Sequence, residues 1–456
     1  MSAREAGRAS RSTGRYFVET WGCQMNVLDA DKMSGALETH GYVRVDRAED
    51  ADVVLLNTCS IREKAAEKVF SELGRLRPLK VRRPDLVVGV CGCVAQQEAE
   101  AIFARAPYVD IVVGTRATSS LPILVNRLRS GDSSARHTAD VALREDSIHF
   151  PFDQIRREVG GAAKAFVTVI EGCNHRCAFC IVPTTRGREV CRPFDDVLAE
   201  VRALAARGFR EIEFLGQTVN AYRDPVGRGL GDLLVAAAGV DGIERIRFTT
   251  SHPAQMTSGL IEAMAAARPK LCPYLHLPVQ SGSDAVLRAM RRGYDRAGYL
   301  ARIDAIRRMI PEMCFGTDVI VGFPTETDAD FEETVSLVRA VGFDTLYSFA
   351  YSPRPGTAAL DLAPDLPGGL KLARLARLQS AQREIQDARA AAWVGRTVDV
   401  LVEGPSKKDP GEWTGRTPEA RIVNFQGHTE PGRIERLLVT HATAFSLRGS
   451  LRTSAS

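Results

Sequence analysis

Between Phe166 and Tyr351 a short apolar run recurs six times, with helical patterns in most of the gaps. The predicted strands are Phe166–Ile170, Glu211–Leu215, Arg245–Thr249, Tyr274–Leu277, Thr317–Val321 and Tyr347–Tyr351. The predicted helices are Phe194–Arg207, Leu230–Ala238, Gly259–Ala266, Asp284–Arg291, Ala297–Met309 and Asp328–Val341. A strand that returns through a helix pairs in parallel with its neighbour, so the repeat predicts a barrel-like parallel sheet. Six units fall short of the eight in a closed barrel, so the expected form is a partial (βα)6 barrel. A long helix, Leu370–Trp393, closes the segment.

The residues before it alternate in the same way. Strands are predicted at Tyr16–Glu19, Val53–Leu56, Leu86–Val90 and Ile111–Val113, with helices at Val27–Glu38, Glu63–Leu76 and Gln96–Ala104. This is an α/β pattern with a parallel sheet. After the barrel segment, β-prone runs at Thr397–Val402, Ala420–Phe425, Arg436–Ala442 and Ala444–Arg448 predict a small all-β barrel. The expected division is a disordered tail at 1–14, an N-terminal domain at 15–129, a linker at 130–161, a barrel domain at 162–392 and a β domain at 393–456.

Composition sets limits. The chain is 45% apolar and 25% charged, with a net charge of +4, so charge alone argues little for a nucleic-acid partner. No apolar run approaches the roughly 18–20 residues of a membrane helix, and Met1–Arg15 has no apolar segment of a secretory signal. The expected location is cytoplasmic, with no membrane association. In such a reducing compartment the ten cysteines point to metal or catalysis rather than to disulfides.

Two groups of cysteines stand out. Cys173-Asn-His-Arg-Cys177-Ala-Phe-Cys180 follows the first predicted barrel strand, where barrel enzymes place their active sites. Three thiolates can hold three irons of a 4Fe-4S cluster and leave the fourth open to a ligand. The alternative is a zinc knot completed by Cys191 or His175. Cys23, Cys59 and Cys93 lie far apart, yet each follows a predicted strand of the N-terminal sheet. Ligands bind at the carboxyl ends of such strands, so the three can converge; the alternative is three unrelated buried cysteines.

The CxxxCxxC after the first strand of a partial barrel resembles the radical S-adenosylmethionine (SAM) superfamily. From Tyr16 onward the chain is similar to the methylthiotransferase family of those enzymes. The matching words are Trp21–Asn26, Asn57–Lys64, Glu171–Cys180 with Pro183–Arg188, Leu275–Ser283 and Phe349–Thr357. The resemblance implies two 4Fe-4S clusters. One, on Cys173, Cys177 and Cys180, binds SAM and is catalytic; the second, on Cys23, Cys59 and Cys93, carries the sulfur to be transferred. The family word Gly-Cys-Xaa-Ala-Gln fits Gly92–Gln96, which assigns Cys93 and leaves Cys91 as a neighbour. Cys191 departs from the family, which more often has Ser there. The implied reaction adds a methylthio group to carbon 2 of N6-isopentenyladenosine beside the anticodon. The implied partners are the tRNA anticodon stem-loop and a reductant such as flavodoxin or ferredoxin, and the expected state is a monomer. A carbon without an acidic proton suits radical chemistry, with the cofactors carrying the hard step.

Softer assignments follow from the same resemblance. Gly216, Gln217, Asn220, Gln280 and Asp318 end strands facing the first cluster and are candidates for SAM or substrate contacts. His252 and His276 stand equally as core histidines or as site residues. The C-terminal segment resembles a TRAM domain, with nine Lys and Arg against seven Asp and Glu; Lys407, Lys408, Arg416, Arg421 and Arg448 are its candidate phosphate contacts. Phe425 and Phe445 are expected in its core. The rival substrates are threonylcarbamoyladenosine tRNA and a ribosomal protein. A rival of another class is a non-catalytic iron–sulfur RNA-binding protein, against which the open coordination of both three-Cys sets argues.

Overall fold

The structure is a computed structural model that describes residues 13–60, 63–157 and 164–451. Most of the expected tail, the Gly160–Gly161 pair of the expected linker and Ile61–Arg62 of the second cysteine word lie outside them. The chain forms two compact units. The first runs through Arg157 and includes Val182–Val190; the second comprises Glu158–Ile181 and Cys191–Ser456.

The first unit is built on six parallel strands: β1 (Gly14–Trp21), β2 (Tyr42–Arg44), β3 (Val53–Thr58), β4 (Val87–Gly92), β5 (Ile111–Val113) and β6 (Thr138–Asp140). They lie in the order β2-β1-β3-β4-β5-β6. β3 shows why the centre reads as a continuous apolar run. Val53 and Leu55 face one apolar layer, Val54 and Leu56 the other, because successive side chains point to opposite faces. β2 and β6 escape the sequence reading. Each has three residues at a sheet edge, and Arg44, Thr138 and Asp140 give neither the apolar signal of a central strand. Thr138–Asp140 therefore belongs to the sheet, inside the stretch expected to be linker. The helix expected to stop at Leu76 runs on through Pro78 to Arg82. The one expected over Gln96–Ala104 is two, Cys93–Glu98 and Ala101–Arg105, parted by Ala99 at φ 45°.

In the second unit six parallel strands form two triplets. One holds β7 (Lys164–Thr168), Glu211–Leu215 and Arg245–Phe248; the other holds Tyr274–His276, Cys314–Val321 and Thr345–Ala350. An Ile246–Leu271 bridge joins them, and a single apolar core runs from Ala165 through Phe343 to Leu378. This is the partial barrel. The C-terminal residues close a five-stranded barrel of Thr397–Pro405, Trp413–Arg416, Ile422–Gln426, Ile434–Ala442 and Ser446–Leu451. Phe425 is in its core, whereas Phe445 is 64% exposed, contrary to expectation. Phe445 sits in the short turn before the last strand, where alternation imposes no inward face.

The amino-terminal ends of the large barrel's strands carry charge. Arg247 Nε donates to Glu211 at 2.9 Å, and Lys164 pairs with Glu213. The C-terminal barrel docks at this end. Arg245 donates to the carbonyls of Arg416 and Asp399 at 2.8 and 2.9 Å, and Arg247 to those of Pro418 and Thr417 at 2.8 Å. Buried Asp344, just before the sixth strand, accepts from Arg421 at 3.2 Å, from Arg389 at 2.9 and 3.0 Å and from the Phe315 N–H at 3.0 Å. Arg421 is thus a brace between barrels and not a phosphate contact, because its guanidinium is buried on Asp344.

Removing one partner of a buried pair leaves the other charge desolvated, at about 3–5 kcal/mol. Asp344→Ala is expected to lower the chemical denaturation midpoint of the second unit, and Asp344→Asn to lower it less, since it still accepts hydrogen bonds. Equal midpoints for Asp344→Ala and wild type would show that the brace carries no stability.

Candidate functional site

In the first unit the register assembles the site. Trp21 of β1 pairs with Thr58 of β3, and Thr58 with Gly92 of β4, so three adjacent strands end level. Cys59 and Cys93 come next in sequence, and Cys23 one residue later than its strand end plus Gly22. The Cys59 N–H donates to the Trp21 carbonyl at 3.1 Å, which keeps the first two loops together. The Cys59 thiol lies within hydrogen-bond reach of both Cys23 and Cys93. Sharing its proton pulls Cys23 down to about 6 and Cys93 to about 7, and pushes Cys59 up. The Arg186 guanidinium adds to the lowering at Cys23 and Cys93. Both of these thiols also sit at helix starts, where the helix dipole favours an anion.

Two glycines make the convergence possible. A Cβ at Gly22 (φ +143°) would lie 2.6 Å from the Cys59 Cβ and from Asn26 Oδ1; one at Gly92 (φ +85°) would lie 2.4 Å from Asn57 Oδ1 and 2.8 Å from the Thr58 carbonyl. Three thiols in a cradle a methyl group would fill fit an iron–sulfur cluster. Cys91 points the other way, into the layer with Tyr16, Val18 and Met33, and burial pushes its thiol up to about 12. Strand alternation separates it from Cys93.

Arg186 was not singled out in the sequence beyond its place in the Pro183–Arg188 word. Its Nη2 donates to Asp29 Oδ2 at 2.6 Å, with both side chains 3% exposed. The flanking backbone is held by Thr115 on the Thr185 carbonyl and Arg116 on the Arg188 carbonyl, each at 2.7 Å.

In the second unit Cys173, Cys177 and Cys180 occupy the loop beyond β7. Ala178 anchors it, donating to the Met290 carbonyl at 3.0 Å and accepting from the Ala359 N–H at 2.8 Å. The Cys180 N–H donates to the Cys177 carbonyl at 3.1 Å, which turns the loop back. Cys173 Sγ is 3.3 Å from Thr218 Oγ1, and Cys177 Sγ accepts from Arg292 Nη1 at 3.2 Å. His175 stacks on His252 with ring centroids 3.9 Å apart. His175 is turned onto the His252 ring rather than toward the thiols.

The five SAM candidates divide. A Cβ at Gly216 would lie 2.4 Å from Ile170 Cγ2, so that glycine serves close packing. Gln217 Oε1 accepts from the Gly172 N–H and so holds the loop entering Cys173. The Asn220 amide donates to the His252 carbonyl at 2.9 Å and accepts from its N–H at 2.8 Å, tying two strand-end loops together. Gln280 and Asp318 are different. Gln280, at φ 70°, has a buried Oε1 with no partner, and Asp318 Oδ1 meets His276 Nε2 at 3.0 Å. His276 Nδ1, His252 Nε2 and Ser251 Oγ are likewise buried and unpartnered. Orphaned buried polar atoms are costly, and four at the carboxyl ends of neighbouring strands fit a polar ligand held there. The two histidines are therefore not satisfied core residues. Of the candidate phosphate contacts, Lys407 and Lys408 are exposed, while Arg416 and Arg448 pair with Glu403 at 2.8 Å and Glu412 at 2.9 Å.

Residues 167–338 match the Radical SAM superfamily, residues 15–114 the Uncharacterized protein family UPF0004 and residues 392–451 the TRAM domain. The solved structure of the radical SAM methyltransferase TsrM from Kitasatospora setae, with cobalamin and a 4Fe-4S cluster bound, shares the fold at a TM-score of 0.53 and 17% identity over 76% of each chain. Fold and thiol loop together define a radical SAM protein. The chain is 49% identical over 445 residues, 96% of its length and 98% of the relative's, to the tRNA-2-methylthio-N(6)-dimethylallyladenosine synthase of Alkalilimnicola ehrlichii. It is 48% identical to that of Methylococcus capsulatus, over 96% of this chain and 95% of that one. The chain belongs to this family of radical SAM methylthiotransferases, as the short words in its sequence implied.

Gly92→Ala tests the cradle. It is expected to part Cys59 from Cys93 and to halve the iron of the reconstituted protein, from about eight to about four atoms. Iron retained at the wild-type level would show that the loop adapts to the added methyl.

Proposed function

We propose that this protein adds a methylthio group to carbon 2 of N6-isopentenyladenosine beside the anticodon of tRNA. The observation that carries the reading is the pair of three-thiol loops, each at strand ends, in a chain about half identical to synthases of that name along nearly its whole length. Two 4Fe-4S clusters with one open iron each would supply, when bound, reductive cleavage of SAM and a carrier for sulfur.

The chain's own residues do the rest. Cys173, Cys177 and Cys180 hold one cluster, and Gln217 and Thr218 fix the loop that presents them. Gln280, His276 and Asp318 offer polar groups at the mouth of the barrel for SAM or the adenine. Cys23, Cys59 and Cys93 hold the second cluster, with Arg186 as the nearby positive charge. The target base must leave its stack to reach a buried site. Lys407 and Lys408, exposed on the C-terminal barrel, offer cations for phosphate contact. A flavodoxin- or ferredoxin-like donor supplies the electron, and the protein works as a cytoplasmic monomer. The working division into domains is 15–129, 162–392 and 393–456.

The test counts iron and sulfide after anaerobic reconstitution, then assays prenylated tRNA with SAM and reductant. Wild type is expected to hold about eight irons and the Cys173/Cys177/Cys180→Ala variant about four. Product should form only with wild type and only on RNA carrying the isopentenyl group. About four irons in wild type and none in the variant would reduce Cys23, Cys59 and Cys93 to structural residues and overturn the methylthio reading.

A further inference from the structure

Arg292 is a buried cation without a carboxylate. It is 6% exposed and lies just beyond the helix Asp284–Ala289. Its Nη2 donates to the Pro278 carbonyl at 3.1 Å, its Nε to the Tyr294 hydroxyl at 3.1 Å, and its Nη1 to Cys177 Sγ at 3.2 Å. The Tyr294 hydroxyl is itself fixed on the Val279 carbonyl at 2.8 Å, and the guanidinium lies over the Tyr294 ring, 5.4 Å from its centroid. Two of the three contacts are neutral, and they lock the orientation of the group. The third points the remaining charge at the middle cysteine of the loop. No ion pair to Arg292 occurs among the described residues, and its Nη1 ends on the Cys177 sulfur.

We propose that Arg292 is a positioning residue that raises the reduction potential of the iron–sulfur cluster on Cys173, Cys177 and Cys180 by donating a charged hydrogen bond to the Cys177 thiolate. The proposal rests on the reading of those three cysteines as cluster ligands. Reduction adds one electron, taken from the external donor, to a cluster already carrying negative thiolates. A fixed positive charge at one sulfur offsets that gain, and hydrogen bonds to cluster sulfurs are a principal means by which a protein sets the potential. Thr218 makes a second, neutral contact to Cys173 at 3.3 Å and has no net charge to add. Nothing in the sequence separates Arg292 from Arg291 beside it.

The experiment is a redox titration followed by electron paramagnetic resonance. It uses the full chain with Cys23, Cys59 and Cys93 changed to Ala, so that one cluster reports. Arg292→Met should keep about four irons and shift the midpoint to more negative potential. The expected shift is at least the about 59 mV that corresponds to a tenfold loss of preference for the reduced state in a one-electron couple. An unchanged midpoint at full iron content overturns the proposal and leaves the cluster assignment standing. Should Arg292→Met not load iron, Arg292→Gln decides: a shift in the same direction supports the proposal and an unchanged midpoint overturns it. A parent protein that holds no iron with Arg292 intact overturns the cluster assignment itself.

Discussion

Everything at the first thiol set depends on strands that end level. Parallel neighbours lie about 4.8 Å apart, so residues that follow aligned strand ends are brought side by side whatever their separation in sequence. The alignment of Trp21, Thr58 and Gly92 converts intervals of more than thirty residues into one contact. Nothing local could do this. The thiols are set by the sheet, and the sheet is set by two apolar layers that leave β3 no freedom of register, since a shift by one residue would exchange its faces.

The second thiol set is built on the opposite principle. There the spacing is local, and the contribution of the fold is to hold the loop from several sides. Gln217 and Thr218 come from beyond the second barrel strand, Met290 and Arg292 from beyond a helix, and Ala359 from after the last strand. A loop restrained at its backbone and at two of its sulfurs loses little freedom when it takes up a metal cluster, which favours binding by preorganisation.

Much of this was legible in the sequence, and the exceptions have physical causes. The helix Leu230–Ala238 and the strand Glu211–Leu215 were readable to the residue because apolar periodicity and flanking turns agree there. The edge strands Tyr42–Arg44 and Thr138–Asp140 were not, because an edge strand of three residues need not alternate. The six cysteines of the two thiol sets were visible by spacing or by their place after strands. Gln217 and Asn220 were singled out as ligand contacts by resemblance, but whether an amide there serves a ligand or a neighbouring loop is decided by tertiary partners. Arg292, Arg186 and Arg421 look alike in sequence. Packing separates them into one beside a thiol, one paired to Asp29 and one joining two barrels.

The docking of the small barrel has a consequence for reach. It is latched to the amino-terminal ends of the large barrel's strands through Arg245, Arg247 and Asp344, while Gln280, His276 and the thiol loop lie at the carboxyl ends. The eight-residue strand Cys314–Val321 alone spans roughly 26 Å at about 3.3 Å per residue. A group on the small barrel and a group at the mouth of the large one are therefore separated by at least the length of that strand. A molecule the size of a free nucleoside is too short to touch both ends at once; only an extended one could reach from one to the other.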